Sequence, residues 1–213
     1  VRRIAGRVDV IVEGNRPGVM ARLGLNYDAL NPHNPRLIYV SLTGYGQQGE
    51  HARVAGHDIN YIAQCGLLDL MGPPAIPGIQ LADLAGGTLQ TVIGILLALT
   101  AREKTGRGQF VDISMRDGVG ALLHVPLALL EATGQTPERG NTTLTGRYAC
   151  YNLYRARDGR WLAAGALEPK FWAAFCRVVD REDLIADQFA EGARQEEIKR
   201  TVAAILAMRD AAD

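Results

Sequence analysis

His57 lies in the run Gly56-His57-Asp58-Ile59-Asn60-Tyr61, directly ahead of a stretch with helical spacing of apolar residues. An imidazole at a helix start can act as an acid or a base, while the unpaired backbone N–H groups there stabilise a developing oxyanion. The plainer reading is that Asp58 caps that helix and His57 is an exposed loop residue. Asp83, in Leu81-Ala82-Asp83-Leu84-Ala85-Gly86-Gly87, also stands at the mouth of a helix, as a reactive carboxylate or a simple N-cap. Two glycines in a first turn cost helix stability unless something approaches the backbone closely. A bulky ligand beside Asp83 supplies that reason. Glu168 leaves a strand just before Pro169 and is either a carboxylate reaching into a site or a solvated loop residue. Arg16 and Arg22 flank a strand end and a helix start, where α/β folds bind phosphates, with ordinary surface arginines as the alternative.

These residues need a scaffold, and the hydrophobic pattern supplies one. Val8 to Val12 and Arg36 to Leu42 read as buried parallel strands, and Gln109 to Met115 alternates like a third. Asp58 to Met71 reads as one helix stopped at Gly72-Pro73-Pro74, and Asp83 to Lys104 as a long buried helix closed by Gly106. Its apolar core, Ala85 to Ala101, is short for a bilayer and better explained as a buried helix. Asp117 to Thr133 is expected to be helical with a kink at Pro126. Beyond a polar stretch come two strands, Tyr148 to Arg155 and Trp161 to Ala166, joined around Asp158-Gly159. Helices from Pro169 to Val179 and from Glu196 to Met208 follow. The expected class is α/β: a parallel-sheet large domain over 1–135, a linker over 136–147 and a smaller α+β domain over 148–213. Both domains are expected to be incomplete, because the chain opens on Val1 and stops after a helix.

Composition narrows the function classes. Twenty-three basic residues balance 23 acidic ones, so no overall field draws the chain to nucleic acid or to an anionic membrane. The three cysteines are scattered without a CxxC pair, which suggests reduced thiols in a cytoplasmic protein and no metal site. The fingerprints of nucleotide triphosphate, serine hydrolase and zinc protease sites do not occur in it.

Six strings in order, DVIVEGNRPGVMARLGL, NPRLIYVSLTGYGQQG, AGHDINY, LADLAGG, KTGRGQFVDISM and DGRWLAAGALEPKFW, resemble the class III coenzyme A-transferase family. That family includes formyl-CoA and carnitine-CoA transferases and α-methylacyl-CoA racemase. The resemblance implies a large and a small domain, an interlocked homodimer at full length, and a truncated member here. It implies coenzyme A as part of an acyl-CoA thioester substrate, carboxylates as partners, and no metal. Asp83 matches the family aspartate that forms an aspartyl intermediate when coenzyme A passes between carboxylic acids. In the racemase branch the matching aspartate moves the α-proton, with His57 as the opposite acid/base and Glu168 orienting it. Arg16, Arg22, Gly56, Asp58 and Tyr61 match positions that contact coenzyme A. The racemases have a glycine-alanine-proline turn where this chain has Gly146-Arg147-Tyr148-Ala149, which favours the transferase reading. The racemase or epimerase, and a non-catalytic coenzyme A-binding subunit, are the alternatives.

Overall fold

A computed structural model describes residues 1–71 and 75–212 of the 213. The chain divides into two compact units, Val1–Thr136 and Pro137–Asp213.

The first unit is built on three parallel strands in the order β1 (Val10–Glu13), β2 (Ile38–Thr43), β3 (Phe110–Ser114). Val10 pairs with Ile38 and Tyr39 with Phe110, so every strand runs toward the same edge. Period-two alternation sends Ile38 and Val40 to one face, against Ala98, and Leu37 and Tyr39 to the other, against Ala5 and Leu30. With both faces of β2 covered, its sequence is apolar or β-branched almost throughout, as in a central parallel strand.

The helices differ from expectation at three points. The helix expected from Asp58 to Met71 is two: α1 (Asp58–Gln64) and a turn over Leu67–Leu70. Gly66 separates them in the left-handed region at φ +86°, which glycine enters without the Cβ clash that would strain another residue. The expected stop at Gly72-Pro73-Pro74 lies outside the described residues. The segment Asp117 to Thr133 is not one kinked helix either. It consists of α3 (Met115–Gly120), a 3-10 turn (Ala121–Leu123) and α4 (His124–Thr133). Pro126 is the third residue of α4, where no intrahelical partner waits for an N–H, so it begins a helix instead of bending one.

The third difference concerns α2, which runs 24 residues from Ala82 to Thr105 and is closed by Gly106 at φ +71°. Its opening stretch, Ala82–Leu89, is π-helical. The helix is not buried as expected. Thr91, Ala98 and Arg102 are buried, while Leu89, Val92, Ile93, Leu96 and Leu97 are exposed. By length and composition alone it is apolar enough to cross a membrane, which for a single helix is weak evidence of a span.

The second unit pairs β4 (Tyr151–Arg155) with β5 (Trp161–Gly165) as an antiparallel hairpin, Tyr151 opposite Gly165 and Arg155 opposite Trp161. Gly159 takes φ +81° in the connection. The hairpin packs with α5 (Pro169–Val178) and α6 (Ala193–Leu206) around Trp172, Cys176, Leu184, Ile198 and Val202. Pro169 at the first position of α5 is pre-set for a helix start.

Candidate active site

Asp58 does not cap its own helix. Its Oδ1 accepts the backbone N–H of Ala82 at 2.6 Å and of Asp83 at 3.0 Å, so a side chain at the start of α1 holds the start of α2. The N–H of His57 is donated to Asn60 Oδ1 at 3.0 Å, which fixes the backbone ahead of α1 while the imidazole remains exposed. Asp83 is half-buried in the first turn of α2. Burial first, and then the neighbouring charge of Asp58, push its carboxyl above the ordinary range, while His57 draws it down. Asp83 and His57 are thus brought into one electrostatic neighbourhood. A carboxyl raised by burial beside an imidazole is a pair that can give and take a proton.

The glycines of α2 have another explanation than a ligand. A Cβ on Gly86 would run into the Met115 carbonyl and lie 2.7 Å from the Val119 nitrogen, and one on Gly118 would strike the Gly86 carbonyl. A Cβ on Gly87 would meet Met115 and Leu42 side chains at 3.1 and 3.2 Å. Backbone-to-backbone packing of α2 on α3 is what Gly86 and Gly118 permit, at a crossing where α2 is π-helical. Gly118 in Met115-Arg116-Asp117-Gly118 is the sequence signal that reading only one of the two helices misses.

Tyr61 is buried and donates its hydroxyl to the Gly56 carbonyl at 2.7 Å. Its ring leaves no room for a Cβ on Gly44 or Gly56, so it clamps the loop before His57 against the end of β2. Burial, mainly, raises its hydroxyl above the usual range. Beside it opens a cavity of about 190 Å³ lined by Arg16, Gly44, Tyr45, Gly56, Tyr61 and Met115. Arg16 also lines a second cavity of about 300 Å³, with Glu13, Tyr27, Tyr39, Ser41 and Phe110. The first opens at the carboxyl ends of β1 and β2, where α/β sheets bind ligands. In the second, Ser41 Oγ bonds the Glu13 carboxylate and the Tyr39 hydroxyl has no partner, features that the sequence left unmarked.

Arg22 is exposed at the end of a short helix, Val19–Arg22, and lines neither cavity. Glu168 belongs to the second unit, where it is exposed and its carbonyl accepts the N–H groups of Phe171 and Trp172 as α5 begins. No cluster of three or more metal-binding side chains occurs among the described residues.

Comparison with known proteins shows the family. The model of CoA-transferase family III matches residues 1–213. Human α-methylacyl-CoA racemase is 42% identical over 176 residues, covering 81% of this chain and 46% of the racemase. The acetyl-CoA:oxalate CoA-transferase of Acetobacter aceti is 38% identical over 187 residues, covering 85% of this chain and 47% of that enzyme. A crystal structure of a CAIB/BAIF family protein from Brucella suis superposes with a TM-score of 0.79 at 29% identity, covering 98% of this chain and 56% of that one. The chain therefore spans about half the length of the relatives it matches. A mixed α/β fold with a parallel sheet, six family strings in order and a match along its whole length make this chain a member of CoA-transferase family III, whose enzymes use coenzyme A thioesters.

Proposed function

We propose that the full-length enzyme moves the α-proton of a 2-methylacyl-CoA thioester, as a racemase or epimerase, with Asp83 and His57 as its two acid/base groups. The observation that carries this reading is the Asp83 carboxyl, raised by burial and by Asp58 beside His57. A group that must hold and release a proton near neutral pH benefits from that shift. One of the pair removes the α-proton, the C–H electron pair enters the thioester enolate, and the other returns a proton to the opposite face. Glu168 is proposed to orient His57, and Arg16, Arg22, Gly56, Asp58 and Tyr61 to contact coenzyme A. Incubating the full-length enzyme with one epimer in heavy water should give epimerised product carrying deuterium at the α-carbon. Absence of exchange with every branched acyl-CoA tried would sink the proposal.

The second reading is coenzyme A transfer, favoured by the 38% identity to the oxalate transferase and by Gly146-Arg147-Tyr148-Ala149. The Asp83 carboxylate attacks the thioester carbon and the coenzyme A thiolate leaves, giving a mixed anhydride. The thiolate then attacks the aspartyl carbonyl, expels the donor acid as its carboxylate and leaves an aspartyl thioester for the acceptor carboxylate to attack. Hydroxylamine added during turnover should label Asp83, and an unlabelled Asp83 in an enzyme that transfers coenzyme A rejects this route. A non-catalytic subunit would bind coenzyme A with neither exchange nor label. The family resemblance supports a homodimer at full length with acyl-CoA and carboxylates as partners, and the balanced charge and three free cysteines suit a cytoplasmic protein with neither nucleic acid nor membrane as partner.

A further inference from the structure

We propose that Asp58 is a positioning residue, whose carboxylate at the start of α1 anchors the backbone of Ala82 and Asp83 and so fixes the Asp83 carboxyl relative to His57. This rests on the assignment of Asp83 and His57 as the reacting pair. The first N–H groups of any helix lack intrahelical acceptors, and Ala82 is fully buried, so its N–H must find a partner inside the protein. Asp58 Oδ1 supplies it at 2.6 Å and serves Asp83 at 3.0 Å as well. Residues 75–80, which lead into α2, are exposed except for Pro77, and give little restraint of their own. A π-turn adds one residue per turn and weakens the local ladder, so the reacting carboxyl stands where the helix is least self-supporting. Because His57 and Asp58 are adjacent, one short loop sets the imidazole and the Asp83 backbone together.

The anchor carries a charge as well as an acceptor. The groups acting on Asp83 from α1 and the loop before it are Asp58, which raises its carboxyl, and His57, which lowers it; Asp83 in turn acts on Tyr61. On α3, packed behind α2, Arg116 and Asp117 are paired with each other at 2.7 Å. Two substitutions in the full-length enzyme separate acceptor from charge. Asp58→Asn keeps an oxygen acceptor and should preserve amide-exchange protection at Ala82 and Asp83. It should also move the Asp83 titration, and the acid limb of the activity profile, to lower pH. Asp58→Ala should speed exchange of both amides at least about tenfold and lower kcat about 10²-fold, the size expected when a reacting group is displaced by about 1 Å. Unchanged exchange at both amides in Asp58→Ala overturns the anchor, and so does lost protection with kcat intact. Should Asp58→Ala fail to fold, Asp58→Asn decides alone: an unmoved Asp83 titration or lost protection rejects the proposal. If the wild type itself shows no exchange or transfer with acyl-CoA, the functional reading fails, while the amide and titration measurements still judge the anchor.

Discussion

The two units treat their buried polar groups in opposite ways. In the second unit, Gln195 accepts the Ala149 N–H at 3.1 Å and donates to the carbonyls of Gln188 and Ala190 at 3.1 and 3.0 Å. Gln188 donates to the carbonyls of Ala166 and Leu167, Tyr154 to that of Ala149, and Trp172 to that of Leu184. Among the described residues, the buried side-chain polar atoms without a partner all lie in the first unit: Tyr39 Oη, Thr43 Oγ1, Gln47 Nε2, Thr91 Oγ1 and Arg102 Nε. Tyr39 and Gln47 line the larger of the two cavities described above and Thr43 the smaller. A closed polar network makes a rigid scaffold, whereas polar atoms left open beside cavities belong to a surface that recognises something else. The second unit thus closes these polar groups on itself, whereas the first leaves some of its own open beside cavities.

The largest expected effect breaks the closed network at its centre. Trp172 is fully buried, stacks on Phe175 at 5.5 Å between ring centroids and donates to Leu184. Trp172→Ala should cost about 3–5 kcal/mol by loss of buried area and an unfilled cavity. Urea unfolding followed by the fluorescence of Trp161, which also lies in the second unit, reads that loss directly. A cost below about 1 kcal/mol would show a loosely packed unit and end the contrast. A matched pair sharpens it. Gln195→Leu strands an N–H and two carbonyls and should cost about 1–3 kcal/mol. Thr91→Val, on α2 in the first unit, removes a hydroxyl that bonds nothing and should fall within about 0.5 kcal/mol of wild type or above it. Equal costs for the two in denaturant titrations would erase the distinction.

Much of this architecture is legible in the sequence. The β-branched runs around Val10 and Ile38 identify the parallel strands because both faces of such strands are buried, and Asp158-Gly159 marks the hairpin because only a tight turn fits there. Asp83 is legible as a carboxylate at a helix mouth beside two glycines. What the glycines meet is not, because Gly86 and Gly118 are 32 positions apart in sequence and only the fold makes them touch. The bond from Asp58 to the start of α2 spans 24 and 25 positions and is hidden for the same reason. The exposed face of α2 misleads in a different way: its leucines and isoleucines give the composition of a buried helix, and nothing local tells which sides of it the chain covers. Gly66 sits inside an apolar period that continues on both sides, so periodicity alone runs across the break.

The smallest expected effect is a difference in sign between the units. Burial and the Asp58 charge raise the folded Asp83 carboxyl above its unfolded value. Such a group favours the folded state fully below the unfolded pKa of about 3.9, and that advantage is lost as pH rises through the folded value. At neutral pH the ionised Asp83 is therefore a burden, and Asp83→Asn should melt slightly higher than wild type, with the gain disappearing on acidification. Asp158, in the hairpin turn of the second unit, is the opposite case. The Arg160 side chain, at 2.8 Å, and the Arg160 backbone N–H, at 3.0 Å, hold its carboxyl down at about 2. Its contribution is present above the unfolded pKa and is lost as pH falls toward about 2. Asp158→Asn should melt slightly lower than wild type at neutral pH and match it in acid. Thermal melts of both variants at neutral and acid pH, followed by circular dichroism, test the pair. Shifts of the same sign at neutral pH would mean that the first unit does not hold its carboxylate against its stability, and the contrast between the two units would fail at Asp83.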